Sequence, residues 1–192
     1  RLECAKQLGL KEVPCIVVSN ISLKQEGESF IKVNEVSAKV SALDKYRIGV
    51  SSEITEWLRV KDCLDFVGLE AGTGINKVSC LSVIYKSINS ATLLSSIEKN
   101  VSVCKRALYI LKNTVGVKGI TNQMYNGMSI FVRHYIMSGE TDVNTVVERL
   151  NKIDAKALTS KAQDMRENSG KGKIDSYVAY LFWVEFNKGY KV

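Results

Sequence analysis

The sequence predicts a mainly helical α+β protein, in which a small mixed segment over residues 1–50 precedes a helical domain over residues 51–192. Two observations favour helices. The chain has a single proline among 192 residues, and proline is the commonest helix breaker. Apolar residues after residue 51 also recur at spacings of three and four. A third observation adds a strand, because the β-branched run Val13 to Val18 is typical of a buried strand.

The overall composition is that of a globular protein. Apolar residues make up 45% and charged residues 24% of the chain, and the mean hydropathy is -0.03. These values disfavour disordered, collagen-like and membrane proteins. The longest apolar run, Tyr177 to Val184, is far shorter than the roughly 20 residues of a membrane span. The sequence opens without the charged and apolar regions of a secretory signal, so we expect a cytoplasmic location.

The formal charge of +7 is concentrated in the second half of the chain. Residues 1–100 contain 13 lysines and arginines against 12 acidic residues, whereas residues 101–192 contain 14 against 8. A basic surface of this kind favours an anionic partner such as nucleic acid or a nucleotide.

The cysteines and the single histidine form no recognisable catalytic or metal-binding pattern. No two cysteines make a C-x-x-C pair, so we expect no metal site. His134 has no serine or cysteine nucleophile pattern beside it. We expect most of the cysteines to be small buried residues in a reducing compartment. They are Cys4, Cys15, Cys63, Cys80 and Cys104.

Short elements are predicted before residue 50. A helix over residues 1–8 precedes the strand at 13–18. Ser22 and Gln25 then form a capping-box pattern, which predicts a helix; a β-hairpin through residues 25–28 is the competing interpretation. Ser41, with an aspartate three residues later, predicts the cap of a further short helix.

Helices dominate the predicted second domain. One begins after Ser52 and is ended by Gly68, residues 69–76 form a loop, and another helix spans about 78–88. A long helix over about 91–113 carries a heptad-like apolar seam, which favours a bundle helix over a coiled-coil dimer. The seam is formed by Leu94, Ile97, Val101, Cys104, Leu108 and Leu111.

The C-terminal region continues this pattern. Thr121 and Asp142 are predicted N-caps of two helices, the second reaching Ile153. A polar stretch and a glycine-rich basic loop over residues 169–173 follow. Asp175 is then the predicted N-cap of a last apolar helix.

The chain opens with R-L-E-C-A-K-Q-L-G-L-K-E-V-P-C-I-V-V. This segment resembles the middle of a ParB/sulfiredoxin-like domain, in which a Gly-x-His/Arg-Arg turn opens a helix R-x-x-A-A-K-x-L-G and a strand V-P-x-I-V-V follows. Residues 28–34, E-S-F-I-K-V-N, resemble the asparagine-containing motif of ParB-like proteins whose turn reads D-G-Q-H-R. Residues 185–189 are similar to the helical tail of some phage and bacterial members.

The resemblance implies that the sequence begins inside the phosphate-binding turn of the family, of which Arg1 remains. It implies a phosphate-binding site formed by Arg1, Asn34 and Lys39, with a nucleotide as the cofactor. An arginine at a helix N-terminus suits an anion, because the free N–H groups there are electropositive. The alternative is that Asn34 is an ordinary residue near the end of a helix. Cys4 does not match the catalytic cysteine of sulfiredoxin.

Two further groups of basic residues are candidates for binding nucleic acid. Lys105 and Arg106 lie away from the apolar seam of their helix, and Lys171 and Lys173 precede the last helix. A solvated surface explains either group equally well. The glycines after residue 67 do not satisfy the spacing G-x-x-x-x-G-K-[ST] of a phosphate-binding loop.

The leading functional expectation is a DNA-associated ParB-like protein that binds DNA or nucleotide phosphates through basic residues. Two alternatives remain open at this point. One is a ParB-like nucleotide hydrolase or nuclease in a longer form of the protein. The other is a structural protein whose apolar last helix and heptad-like seam assemble a homo-oligomer.

Overall fold

The computed structural model describes residues 6–9, 11–12, 17–37, 40–90, 96–137, 141–151 and 153–188, apart from the side chains of residues 35–37. This part of the chain is mainly helical. Its helices are α1 Leu23–Ser37, α2 Ala42–Ser51, α3 Thr55–Phe66, α4 Leu81–Asn89, α5 Ile97–Thr114, α6 Asn122–Phe131, α7 Val143–Arg149, α8 Ala155–Ser169 and α9 Ile174–Asn187. A 3-10 turn spans Val117–Gly119, and a π turn, Val132–Ile136, continues α6.

The β-structure in this part of the chain is a single pair of two-residue strands. Strand β1, Glu70–Ala71, pairs in parallel with β2, Lys77–Val78. Strand β1 lies within the segment 69–76 that is predicted to be a loop, and β2 follows this segment directly. Of the strand predicted at 13–18, residues 13–16 lie outside the described residues. Val17 and Val18 are exposed and belong to no strand, so the prediction that they are buried is wrong.

The predicted caps near the N-terminus are confirmed. The backbone N–H of Gln25 donates to Ser22 Oγ (3.2 Å), and that of Ser22 donates to Gln25 Oε1 (2.8 Å). This reciprocal capping box opens α1 and excludes the hairpin interpretation. Ser41 Oγ likewise accepts from the backbone N–H of Asp44 (3.1 Å) at the start of α2. Helix α2 packs against α1, α3 and α4 and so connects the first helices to the rest of the bundle.

Helix α5 lies at the centre of the hydrophobic core, in contact with α3, α4, α6 and α7. Cys104, Leu108 and Leu111 of the predicted seam are buried there. The helix also buries residues outside the seam, namely Val103, Ala107 and Ile110. Because neighbouring helices cover such a wide face, α5 is a bundle helix within its own core.

The most extensive helix pair is formed by α6 and α9. It depends on Gly127 of α6, which lies against Val178 of α9. A Cβ atom at residue 127 would lie 2.3 Å from Val178 Cγ1, closer than any real contact of this kind. Glycine therefore lets the two helix backbones approach closely, and this approach places the first turn of α9 beside α6.

Three C-terminal predictions are wrong. Helix α7 ends at Arg149 and does not reach Ile153. The stretch after Ile153, expected to be irregular, forms helix α8. Asp154 caps this helix by accepting from the backbone N–H groups of residues 156 and 157, and Gly170 ends it with a φ of 64°. Asp175 is not the N-cap of α9, because this helix begins at Ile174 and Lys173 occupies the N-cap position.

Candidate functional site

A cleft of about 740 Å³ opens between α4, the end of α6 with its π turn, and the beginning of α9. Its walls carry more polar than apolar side chains. The lining residues are Val83, Tyr85, Lys86, Ser87, Asn89, Ser90, Asn126, Ile130, Arg133, Lys173, Asp175 and Ser176.

Three cationic side chains line this cleft. Lys86 comes from α4, Arg133 from the π turn and Lys173 from the N-cap position of α9. None of the three takes part in an ion pair with another described residue. Asp175 is the single acidic residue among the described lining residues. The walls therefore carry an excess of positive charge that the described residues do not neutralise.

The π turn fixes the position of Arg133. The backbone N–H of Met137 donates to the carbonyl of Val132 (2.9 Å), which is the wider spacing of a π turn. Arg133 Nε donates to the carbonyl of Ser129 (3.1 Å), so one guanidinium donor is occupied by the protein. Burial lowers the pKa of Arg133 from its ordinary value, but an arginine remains cationic at neutral pH.

A hydrogen bond joins α6 to the first turn of α9 at the edge of the cleft. Asn126 Nδ2 donates to Asp175 Oδ2 at 2.9 Å. The loop before α9 is also held, since the hydroxyl of Tyr177 donates to the carbonyl of Lys171 (2.8 Å). These bonds place Lys173 and the uncapped N–H groups of α9 at the cleft.

The wall formed by α4 is fixed by buried contacts. Ser87 Oγ donates to the carbonyl of Ile84 (2.9 Å) and lies 2.5 Å from the hydroxyl of Tyr125. Because a serine hydroxyl has one hydrogen, the Tyr125 hydroxyl is the donor in the second bond. Burial raises the pKa of Tyr125 well above its ordinary value, so the phenol stays neutral and adds no negative charge beside the cleft.

Of the predicted nucleic-acid-binding residues, Lys173 lies in the cleft. Lys171 is exposed in the preceding loop and does not line the cleft. Lys105 Nζ pairs with Asp62 Oδ2 at 2.8 Å and lies over the ring of Phe66, so its charge is locally neutralised. Arg106 is half-buried on the same helix.

The predicted phosphate site at the N-terminus stays a prediction, because two of its three residues, Arg1 and Lys39, lie outside the described residues. Asn34 is near the end of α1, where its Nδ2 donates to the carbonyl of Phe30 at 2.8 Å. This local bond is also what an ordinary residue near a helix end makes.

Sequence reasoning missed Lys86 and Arg133 as site residues. They are far apart in the chain and belong to no shared motif, so nothing in the sequence links them to Lys173. The excess of positive charge after residue 100 was a weak signal for Arg133, whereas Lys86 lies in the half of the chain that is nearly balanced in charge. Only the packing of α4, α6 and α9 brings the three cations together.

The described residues hold no group of three or more His, Cys, Asp or Glu side chains arranged as a metal site. The thiols of Cys63, Cys80 and Cys104 are free and buried. Burial raises the pKa of Cys80 to about 12, which keeps this thiol protonated and unreactive at neutral pH. In the same part of the chain, no helix combines the length and the apolar character needed to cross a membrane.

No protein-family model, curated protein or solved structure matches the chain. The function is therefore inferred from the chemistry of the cleft and its surroundings.

Proposed function

We propose that this protein binds nucleic acid through its phosphates, which are held in the cleft between α4, α6 and α9. The observation that carries the proposal is the convergence of Lys86, Arg133 and Lys173 on one cleft that Asp175 also lines. None of the three cations forms an ion pair with a described residue. Lys86 and Lys173 are exposed and Arg133 is half-buried. The three line one concave space, in which their charges act together on an anion.

The chemistry of the cleft suits phosphate groups. A guanidinium and two ammonium groups supply charged donors. The first turn of α9 adds backbone N–H groups and the positive end of a helix dipole, because no side chain caps this helix. The hydroxyl of Ser176 lines the same space. A neutral donor of this kind commonly positions a phosphate backbone without reading its sequence.

Two features of the sequence support the same class of partner. The chain carries a formal charge of +7, which favours association with polyanions. The first 50 residues also resemble the ParB/sulfiredoxin group, whose members hold nucleotide phosphates, so we retain a ParB-like, DNA-associated protein as part of this proposal.

The proposal is tested by fluorescence anisotropy with labelled DNA between about 50 and 200 mM salt. We expect affinity to fall steeply as salt increases. The variant Lys86→Glu/Lys173→Glu is expected to bind about 100-fold more weakly than the wild type at low salt. The matched control, Lys24→Glu/Lys156→Glu, changes the same charge at exposed positions outside the cleft, and we expect its affinity to change by no more than about 5-fold.

If the two double variants lose DNA affinity equally, net charge alone drives binding, and this result would contradict the proposed site. An unlabelled nucleoside triphosphate serves as a competitor in the same assay. Full competition at micromolar nucleotide would show that a free nucleotide, and not the polymer, is the preferred ligand. That result would also contradict the proposal.

A further inference from the structure

Three aromatic side chains form an exposed cluster on α9 and the π turn. Tyr135, Tyr180 and Trp183 are 43%, 46% and 38% exposed. The rings of Tyr180 and Trp183 are stacked, with centroids 5.9 Å apart and an interplanar angle of 27°. The rings of Tyr135 and Trp183 lie 6.2 Å apart at 36°. We call these three residues the aromatic platform.

The aromatic platform and the cationic cleft share helix α9. Lys173 and Ser176 line the cleft at the start of α9. Tyr180 and Trp183 follow Ser176 by four and seven residues, a spacing that places all of them on one stripe of the helix.

The platform rests on a rigid support. Tyr135 packs on Phe131, with ring centroids 5.4 Å apart, and Phe131 packs on Phe182 at 6.2 Å. Both phenylalanines are fully buried in the core. The ring of Tyr135 therefore packs against the buried core, and this contact lowers the entropy cost of stacking a further ring on it.

Resting on the proposed function, we propose that the nucleic acid is single-stranded and that its bases stack on the aromatic platform while its phosphates occupy the cleft. Proteins that bind single strands combine a cationic groove with aromatic rings, because every base offers a flat π face. A duplex does not offer these faces, since its bases are already stacked on each other. The positive charge beside the platform matches the backbone of a strand whose bases lie on the rings.

The test compares three ligands by fluorescence anisotropy: an oligothymidylate of about 15 nucleotides, an abasic oligomer of the same length and charge, and a duplex. We expect the oligothymidylate to bind most tightly. The variant Tyr180→Ala is expected to weaken its binding about 5-fold or more, whereas Tyr180→Phe, which keeps the ring, retains it. The matched control is Phe30→Ala, which removes an exposed aromatic side chain on α1. Circular dichroism confirms that each variant is folded.

The outcomes separate this inference from the proposed function. Equal affinity for the abasic oligomer and the oligothymidylate, with no effect of Tyr180→Ala, overturns the stacking inference but leaves phosphate binding in the cleft intact. Tighter binding of the duplex also overturns it. A wild-type protein that binds none of the three ligands contradicts both. Loss of self-association in Tyr180→Ala without a change in DNA affinity shows that the platform contacts a second copy of the chain, and this overturns the inference.

Discussion

Asn126 Nδ2 donates to Asp175 Oδ2 at 2.9 Å, joining the middle of α6 to the first turn of α9. Asp175 is also the one acidic residue among the described residues that line the cleft. The same carboxylate therefore has two opposed effects. It helps to hold α9 in place, and it offsets part of the positive charge that attracts a phosphate.

Replacing Asp175 by asparagine separates these two effects. The amide oxygen of Asp175→Asn still accepts from Asn126, but the negative charge is lost. We expect DNA affinity at low salt to increase about 2- to 5-fold, because a repulsive charge is removed from the cleft. Thermal unfolding is expected to change little, since an acidic residue in the first helical turn contributes only about 0.3–1 kcal/mol. The control Asp164→Asn, at an exposed position on α8, is expected to bind DNA like the wild type. An equal gain in DNA affinity in this control would contradict a specific effect of the Asp175 charge on the cleft.

The contact between α6 and α9 is expected to be sensitive to volume at residue 127. Gly127→Ala improves helix propensity by about 1 kcal/mol, but its Cβ would lie 2.3 Å from Val178 Cγ1 and 3.2 Å from the backbone N of Ala179. Overpacking of this kind typically costs about 1–3 kcal/mol. We expect a net destabilisation of up to about 2 kcal/mol, measured as a lower midpoint of urea unfolding.

A second-site change tests the cause of that loss. Val178→Ala removes the Cγ1 atom that the new Cβ would meet at 2.3 Å, although the Cβ atom at 2.6 Å remains. Gly127→Ala/Val178→Ala is therefore expected to recover part of the loss and to be more stable than the sum of the single effects predicts. If the two substitutions change the free energy of unfolding additively, the close contact between residues 127 and 178 does not cause the loss of stability.

Stability is expected to fall at alkaline pH because of buried Cys80. Burial raises the pKa of its thiol from about 9.0 to about 12 in the folded protein. Above pH 9 the unfolded chain loses this proton while the folded chain keeps it, so the free energy of unfolding decreases as pH rises from about 9 towards 12. Urea unfolding at several pH values is expected to give a shallower decrease for Cys80→Ala. Identical pH dependence in the two proteins would contradict this explanation.

The local features of the fold could be predicted from the sequence, because a cap or a helix end depends on residues a few positions apart. The capping box at Ser22 and Gln25, the N-cap at Thr121 and the helix end at Gly68 are examples. Helix α8 was missed because its apolar face is narrow. It buries only Leu158 and Ala162, so its sequence resembles a polar connection.

The cleft could not be predicted in the same way. Lys173 was recognised as a candidate because two lysines and two glycines precede an apolar helix, but Lys86 and Arg133 lie on helices of their own. Their convergence depends on how α4, α6 and α9 pack, including the close approach at Gly127. Long-range packing of this kind leaves no local pattern in the sequence.

The salt dependence of DNA binding tests the central claim most directly. The measurement compares the wild type with Lys86→Gln/Arg133→Gln/Lys173→Gln and plots the logarithm of the binding constant against the logarithm of the salt concentration. If the three side chains each contact a phosphate of a single strand, the slope of the triple variant is smaller in magnitude by about 2, at roughly 0.7 per contact. A folded triple variant with the wild-type slope and affinity would contradict the claim that this cleft binds nucleic acid.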